Sequence, residues 1–241
     1  MPLATYTLQV DWDNNGVFTG TGEDITARLL PPITWSRGRD EGIPLIGRSV
    51  AGRLIAVLNN ESGDYSSFNS ASPLAGNLLP GRKVRLMGGT GSFPYTFPIV
   101  FNDNILWEGF LDKIQPIPDL HVKKVKLEAI GTLGYLNQKF VSLAMKTTTL
   151  SGTLIGNLLD EVGWPTAART LDAGQYTFAR FWVDRLLTLS ALREVEDTEG
   201  GFLAESKDGK VVFEDRNHRL KSPHTVSQAT FTDAAGGARA Y

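Results

Sequence analysis

Cysteine is absent from the 241 residues, which excludes disulfides, thiolate metal sites and a thiol nucleophile. Histidine is scarce: His121, His218 and His224 are the only three, which argues against a zinc enzyme. There is no excess of basic charge. Lys and Arg total 24 against 26 Asp and Glu, a net charge of −2, and no segment clusters lysine and arginine with aromatics. Nucleic acid is therefore disfavoured as the main ligand. No apolar run approaches the ~18 residues that span a bilayer. Met1-Pro2-Leu3 leads into a strand pattern without a basic n-region or apolar h-region, so no signal peptide is expected. What remains is ordinary for a globular chain, 41% apolar and 21% charged, with room for one large or two modest domains.

Residues 1–145 read as β-rich from alternation and turn chemistry. Thr5–Val10 is an expected strand with Tyr6, Leu8 and Val10 on its buried face. Ile33–Arg37 and Ser49–Leu58 follow, separated by the turn-prone RGRDEG. NNESGDYSSFN lacks periodicity and reads as a loop. Lys83–Met87 is a short strand and GGTGSFP a loop tip. Tyr95–Phe101 and Asn104–Ile114 form an expected hairpin around Asn102-Asp103-Asn104. In Val122–Ile130, Val125, Leu127 and Ala129 alternate with outward Lys124, Lys126 and Glu128. Short strands with frequent turns suggest a barrel or sandwich.

The pattern changes after Thr147. Ser151 is an expected N-cap, and Leu154, Ile155, Leu158, Leu159 and Val162 recur at helical spacing until Gly163 and Trp164-Pro165 stop the helix. A second helix is expected from near Asp184 through Leu186, Leu187, Leu189, Leu192 and Val195 to Gly200-Gly201. FLAESKDGKVVFED then reads as a hairpin turning at Asp208-Gly209. The fold class is therefore mainly β with an α+β part: an N-terminal β-barrel domain (1–145), a small helix-loop-helix-hairpin domain (146–219) and a polar C-terminal segment (220–241). Trp107 and Trp182 sit in apolar patterns and read as core.

VDWDNNGVFTGTGEDIT (10–26) interrupts this strand grammar. Asp11, Asp13 and Asn15 place oxygens at alternate positions before Gly16, the opening of a calcium-binding loop, with Val17 and Thr19 at later ligand positions. Gly22 occupies the place of the usual closing glutamate, so Glu23 or Asp24 would have to close the site. An Asx-rich turn bonding its own amides explains the same residues, and both readings stay open.

Catalytic signatures are missing. Glu194, Glu196, Asp197 and Glu199 cluster, but Glu196 and Glu199 read as a solvated helix face opposite Leu189, Leu192 and Val195. No serine sits in a G-x-S-x-G elbow. His218 and His224 have no paired carboxylate at a telling spacing, and GGTG and GTGE precede no helix that would make a phosphate loop. The expectation is no enzyme.

Several segments together resemble the hub proteins at the tail tip or baseplate of tailed bacteriophages, including the N-terminal region of tail-associated lysozymes. They are VDWDNNGVFTGTGEDIT (10–26), ITWSRGRDEG (33–42), GRSVAGRLIAVLNNESGDYSSFN (47–69), SPLAGNLLPGRKVRL (72–86) and LWEGFLDKIQP (106–116). LLDEVGWPTAAR (158–169) and LSALREVEDTEGGFLAESKDGKVVFEDRNHR (189–219) continue the match over nearly the whole chain.

The resemblance implies a homotrimeric ring of β-barrels at the distal end of the tail tube, contacting the distal tail protein and other tail-tip proteins. It also implies a virion component assembled in the host cytoplasm. The family carries a second barrel after the segment matching VFEDRNHR, and only 220–241 remain here, so that barrel is reduced or the chain truncated. Arg37, Arg39 and Asp40 are candidate contacts between subunits, with solvated rim charges the competing reading. The alternative function is a calcium-supported carbohydrate- or receptor-binding β-module, with Tyr65, Phe68, Tyr95 and Phe97 as its aromatic platform. A lytic enzyme is disfavoured by the missing site.

Overall fold

The computed structural model describes residues 4–40, 47–90, 104–117 and 122–226. The first six strands are β1 (Ala4–Val10), β2 (Leu29–Arg39), β3 (Ser49–Asn59), β4 (Lys83–Thr90), β5 (Asn104–Ile117) and β6 (Lys124–Ile130). They form one sheet in the order β1-β4-β5-β6-β3-β2, every pair antiparallel. Alternate residues point inward, as a pleated strand requires. Leu8, Val10, Leu54, Ala56, Leu58, Val84, Leu86, Trp107, Leu111, Val125, Leu127 and Ala129 thus build one core with Trp12, Ile25 and Tyr65. The expected loop NNESGDYSSFN is a run of turns.

The sheet, where a β-barrel is expected, curls into a half-barrel. Its two edge strands approach, and Tyr6 on β1 meets Trp35 on β2 edge-to-face with centroids 5.8 Å apart. No backbone ladder joins β1 to β2 among the described residues. The reason lies in the segment Glu23–Thr26, which already occupies the outer edge of β1. Val10 N donates to Glu23 O at 2.9 Å, Ile25 N to Leu8 O at 3.0 Å, and Leu8 N to the Thr26 hydroxyl at 3.0 Å. Tyr6, expected in the core, therefore sits half-exposed at the seam. Glu128, expected outward, is covered by Lys126 and Arg53, whose nitrogens lie 2.6 and 2.8 Å from its carboxylate.

The second lobe contains α1 (Thr132–Leu136), β7 (Phe140–Leu150), α2 (Ser151–Glu161), β8 (Arg169–Leu171), β9 (Thr177–Leu187), α3 (Thr188–Glu199), β10 (Phe202–Glu205) and β11 (Val211–Glu214). β10, β11 and β8 form a three-stranded sheet, and β7 pairs with β9 in a separate two-stranded ribbon. Leu154, Ile155, Leu158 and Leu159 of α2 pack on Ala191, Leu192 and Val195 of α3, over Val141, Leu143, Phe178, Phe181 and Val183 of the ribbon. Gly163, at φ +69°, turns the chain after α2. Trp164 then folds back into the core, its indole N–H donating to Ala168 O at 2.9 Å. The Asp208-Gly209 turn forms as expected, with Gly209 at φ +71°.

Several expectations change here. Asp184–Leu187 ends β9 and the helix begins at Thr188. β7 was not anticipated, and the expected break after residue 145 falls inside it. Ser151 is the first helical residue and not a cap; its hydroxyl reaches Glu199 instead. No helix among the described residues is long and apolar enough to cross a membrane. The expected strand Tyr95–Phe101, the turn at Asn102-Asp103, His121 and residues 227–241 lie outside the described residues.

The lobes join at the end of the sheet. Arg193 of α3 donates to Ser49 O at 2.5 Å, and Glu205 of β10 accepts Gly52 N at 2.5 Å.

Candidate functional site: an acidic loop and an uncovered ribbon

β1 ends at Val10 because the next residues bring carboxylates that turn the chain on itself. Asp11 is buried, and its two oxygens accept Asn15 N at 3.1 Å and Gly16 N at 2.9 Å. Exposed Asp13 accepts both the backbone and side-chain nitrogens of Asn15, at 3.2 and 2.8 Å, and the Asn15 side-chain Oδ1 accepts Val17 N at 2.8 Å. Asn14 at φ 60° and Gly16 at φ 86° complete the turn. The hydrogen-bonded turn is therefore formed.

The same geometry draws carboxylates together. One oxygen from each of Asp11, Asp13 and Glu23 lies within 4.8 Å of the other two. Glu23 is 1% exposed; its Oε2 accepts Gly20 N at 2.6 Å, whereas its Oε1 is sealed from water with no hydrogen-bond partner among the described residues. Asp24 is not part of this group, because its carboxylate accepts Thr26 N at 2.9 Å and its backbone bridges to Gln9. The loop closes on Glu23. Trp12 backs the group, its indole N–H donating to Gly22 O at 3.1 Å.

A second surface is the ribbon. Val141, Leu143, Phe178, Phe181 and Val183 face the core, yet the opposite side is also apolar. Phe140, Met145 and Trp182 are 66%, 58% and 63% exposed. Trp182 is thus not the core residue expected from sequence. A shallow depression of about 570 Å³ lies between Met145, Arg180 and Trp182. Uncovered apolar residues gathered on one face mark an interaction surface more often than an ordinary exterior.

Arg37, Arg39 and Asp40 are all exposed at the end of β2. Arg39 stacks on the Phe202 ring, 4.0 Å from its centroid, and so is engaged within the chain. Burial pushes the Glu205 carboxyl up, while the amides of Leu133 and Gly52 and the nearby Arg37 charge pull it down without reversing the shift. Asp40 N donates to Arg48 O at 3.0 Å.

Glu196 and Glu199 are buried, not solvated. Glu196 accepts Leu203 N at 2.7 Å and the Arg193 guanidinium at 2.6 Å. Glu199 accepts the Ser151 hydroxyl and Tyr176 N at 2.7 Å, and Gln175 N and Arg216 Nε at 3.0 Å. Burial pushes the Glu199 carboxyl up, and these donors more than reverse it, leaving the group below its usual range. Carboxylates so fully occupied act as struts between elements. His218, read as lacking a carboxylate, has its Nδ1 at 2.7 Å from Asp172, with His224 Nε2 at 3.2 Å from its Nε2. In the aromatic platform, Tyr65 is buried beside Trp12, Phe68 is 98% exposed, and Tyr95 and Phe97 lie outside the described residues.

No protein-family model matches the sequence, and no curated protein matches it. Solved structures share the fold. The 43 kDa tail protein of prophage MuSo2 from Shewanella oneidensis superposes with a TM-score of 0.54 at 12% identity, over 88% of this chain and 53% of that one. A tail protein from Neisseria meningitidis MC58 gives 0.54 at 11% identity, over 87% and 51%. The E. coli c3393 protein, a type VI secretion component described as structurally similar to the T4 bacteriophage tail proteins gp27 and gp5, gives 0.52 at 10% identity, over 86% and 48%. The chain spans about half the length of these proteins. At such identities the likeness establishes the fold, which is one found in phage tail proteins.

Proposed function

We propose that this chain is a structural subunit of a phage or phage-like tail tip, a hub that forms a ring at the distal end of the tail tube. The observation that carries the reading is the shared fold, which runs through nearly nine-tenths of the chain in two tail proteins. The sequence resemblance points the same way and supplies the expected stoichiometry, a homotrimer docked on the distal tail protein. The apolar outer face of the ribbon suits such an assembly, because a subunit contact would remove Phe140, Met145 and Trp182 from water. The buried, saturated carboxylates of α3 suit a non-catalytic part.

Light scattering coupled to chromatography tests the reading. A trimer at micromolar concentration, and co-elution with tail-tube or distal tail protein, are the expected results. A monomer that binds glycans on an array would replace it with the receptor-binding reading, for which Phe68 is the exposed platform ring among the described residues. Clearing of peptidoglycan in a zymogram by the pure chain would overturn the non-catalytic assignment.

A further inference from the structure

We propose that Asp11, Asp13 and Glu23 hold one calcium ion. Their three oxygens lie within 4.8 Å of one another, and the centre of a triangle of that side is about 2.8 Å from each corner, so a shift of a few tenths of an ångström brings all three to the 2.3–2.6 Å calcium–oxygen distance. Magnesium, with bonds of about 2.0–2.1 Å and a preference for keeping its waters, fits this spacing less well.

Clustered acids alone do not make a site, and here Glu23 supplies the separate observation. Glu23 is 1% exposed and its Oε1 has no donor among the described residues. Backbone amides satisfy Oε2 and both oxygens of Asp11, yet none of the three carboxylates has a lysine, arginine or histidine partner among the described residues. Burying unpaired negative charge is costly, and a divalent cation removes both the repulsion and the orphaned oxygen. The rest of a six- to eight-oxygen shell falls to carbonyls of the loop and to water.

The placement of Glu23 gives the ion a structural task. Glu23 begins the arm that covers the edge of β1, with its own carbonyl accepting Val10 N at 2.9 Å. An ion bridging Asp11 and Glu23 fastens the outgoing and returning arms of the loop and holds that cover in place. This inference does not depend on the tail-tip reading.

Thermal unfolding of the full chain, stripped with EDTA and then titrated with calcium chloride, is the test. The midpoint should rise with free calcium as a ligand bound to the folded state requires, and terbium should bind with one equivalent of luminescence sensitised through tryptophan. Asp13→Asn changes an exposed side chain and should weaken calcium roughly tenfold or more by removing one ligand charge; Glu23→Gln should abolish the response. Superimposable melts in EDTA and in millimolar calcium would overturn the proposal. So would a calcium effect unchanged in both variants, which would put the ion elsewhere.

Discussion

The hydroxyl of Ser151, at the start of α2, donates to the carboxylate of Glu199, at the end of α3, across 2.7 Å of buried interior. The same carboxylate gathers Gln175, Tyr176 and Arg216, so one side chain ties two helices to the strand entering the ribbon and to the chain beyond β11.

Acid should loosen this knot. Burial alone would raise the Glu199 carboxyl, but its donors hold it below the ordinary 4.5. A depressed folded value means the stabilisation is complete above about 4.5 and is lost as pH falls through the folded value. Asp215 acts in the same sense: its burial is outweighed by hydrogen bonds from Lys221 and Gln175. The thermal midpoint should therefore fall steadily below pH 4.5, and Glu199→Gln should flatten that fall. Glu199→Ala should cost about 3–5 kcal/mol by leaving buried donors unanswered, read from urea unfolding at pH 7.

Trp164 lies against Phe110 and Tyr135, with centroids 5.8 and 6.3 Å away. Trp164→Ala should destabilise by ~3–5 kcal/mol, the cost of an emptied aromatic site. Trp164→Phe should recover most of that and forfeit about 1 kcal/mol for the lost hydrogen bond to Ala168. A midpoint unmoved by the alanine change would contradict the packing.

The ribbon behaves oppositely. Trp182→Ser should leave monomer stability within about 0.5 kcal/mol, as for other exposed positions. If the outer face is a subunit contact, the same change should shift light-scattering mass from trimer towards monomer. Loss of stability without loss of assembly would place Trp182 in the core after all.

Gly52 of β3 marks a close approach between the lobes. A Cβ there would come within 2.3 Å of Glu205 Oε1, 2.8 Å of Trp107 Nε1 and 3.1 Å of Ser36 O. Gly52→Ala should cost about 1–3 kcal/mol through overpacking, seen as a lower denaturation midpoint. An unchanged midpoint would mean that the lobes can separate here freely.

β1, β3, β4 and β6 were legible because one face of each is polar and the other apolar, so period two survives in the sequence. β7 and β9 were not. Phe140, Met145 and Trp182 put apolar residues on the outer face too, and register shifts after Val141 and Leu143 break the alternation. Leu186, Leu187, Leu189 and Leu192 then imitate a helical repeat across a strand–helix boundary. Glu196 and Glu199 failed for a different reason: their partners arrive from β10, from residues 175–176 and from Arg216, which helix spacing does not register. The acidic loop was half legible. Asp11, Asp13 and Asn15 lie on a local spacing, but the choice of Glu23 over Asp24 is made by pairing with β1, a tertiary event.

β5 carries Trp107 and Leu111 into one core while its Phe110, on the opposite side, packs against the other. It is also an interior strand, laddered to β4 and β6 on its two flanks. A single strand thus serves as a party wall between two rooms, and neither room can be emptied without disturbing the wall. The two lobes should therefore share one fate under load or heat, with calorimetry recording one endotherm where a chain with two hydrophobic centres would otherwise show two.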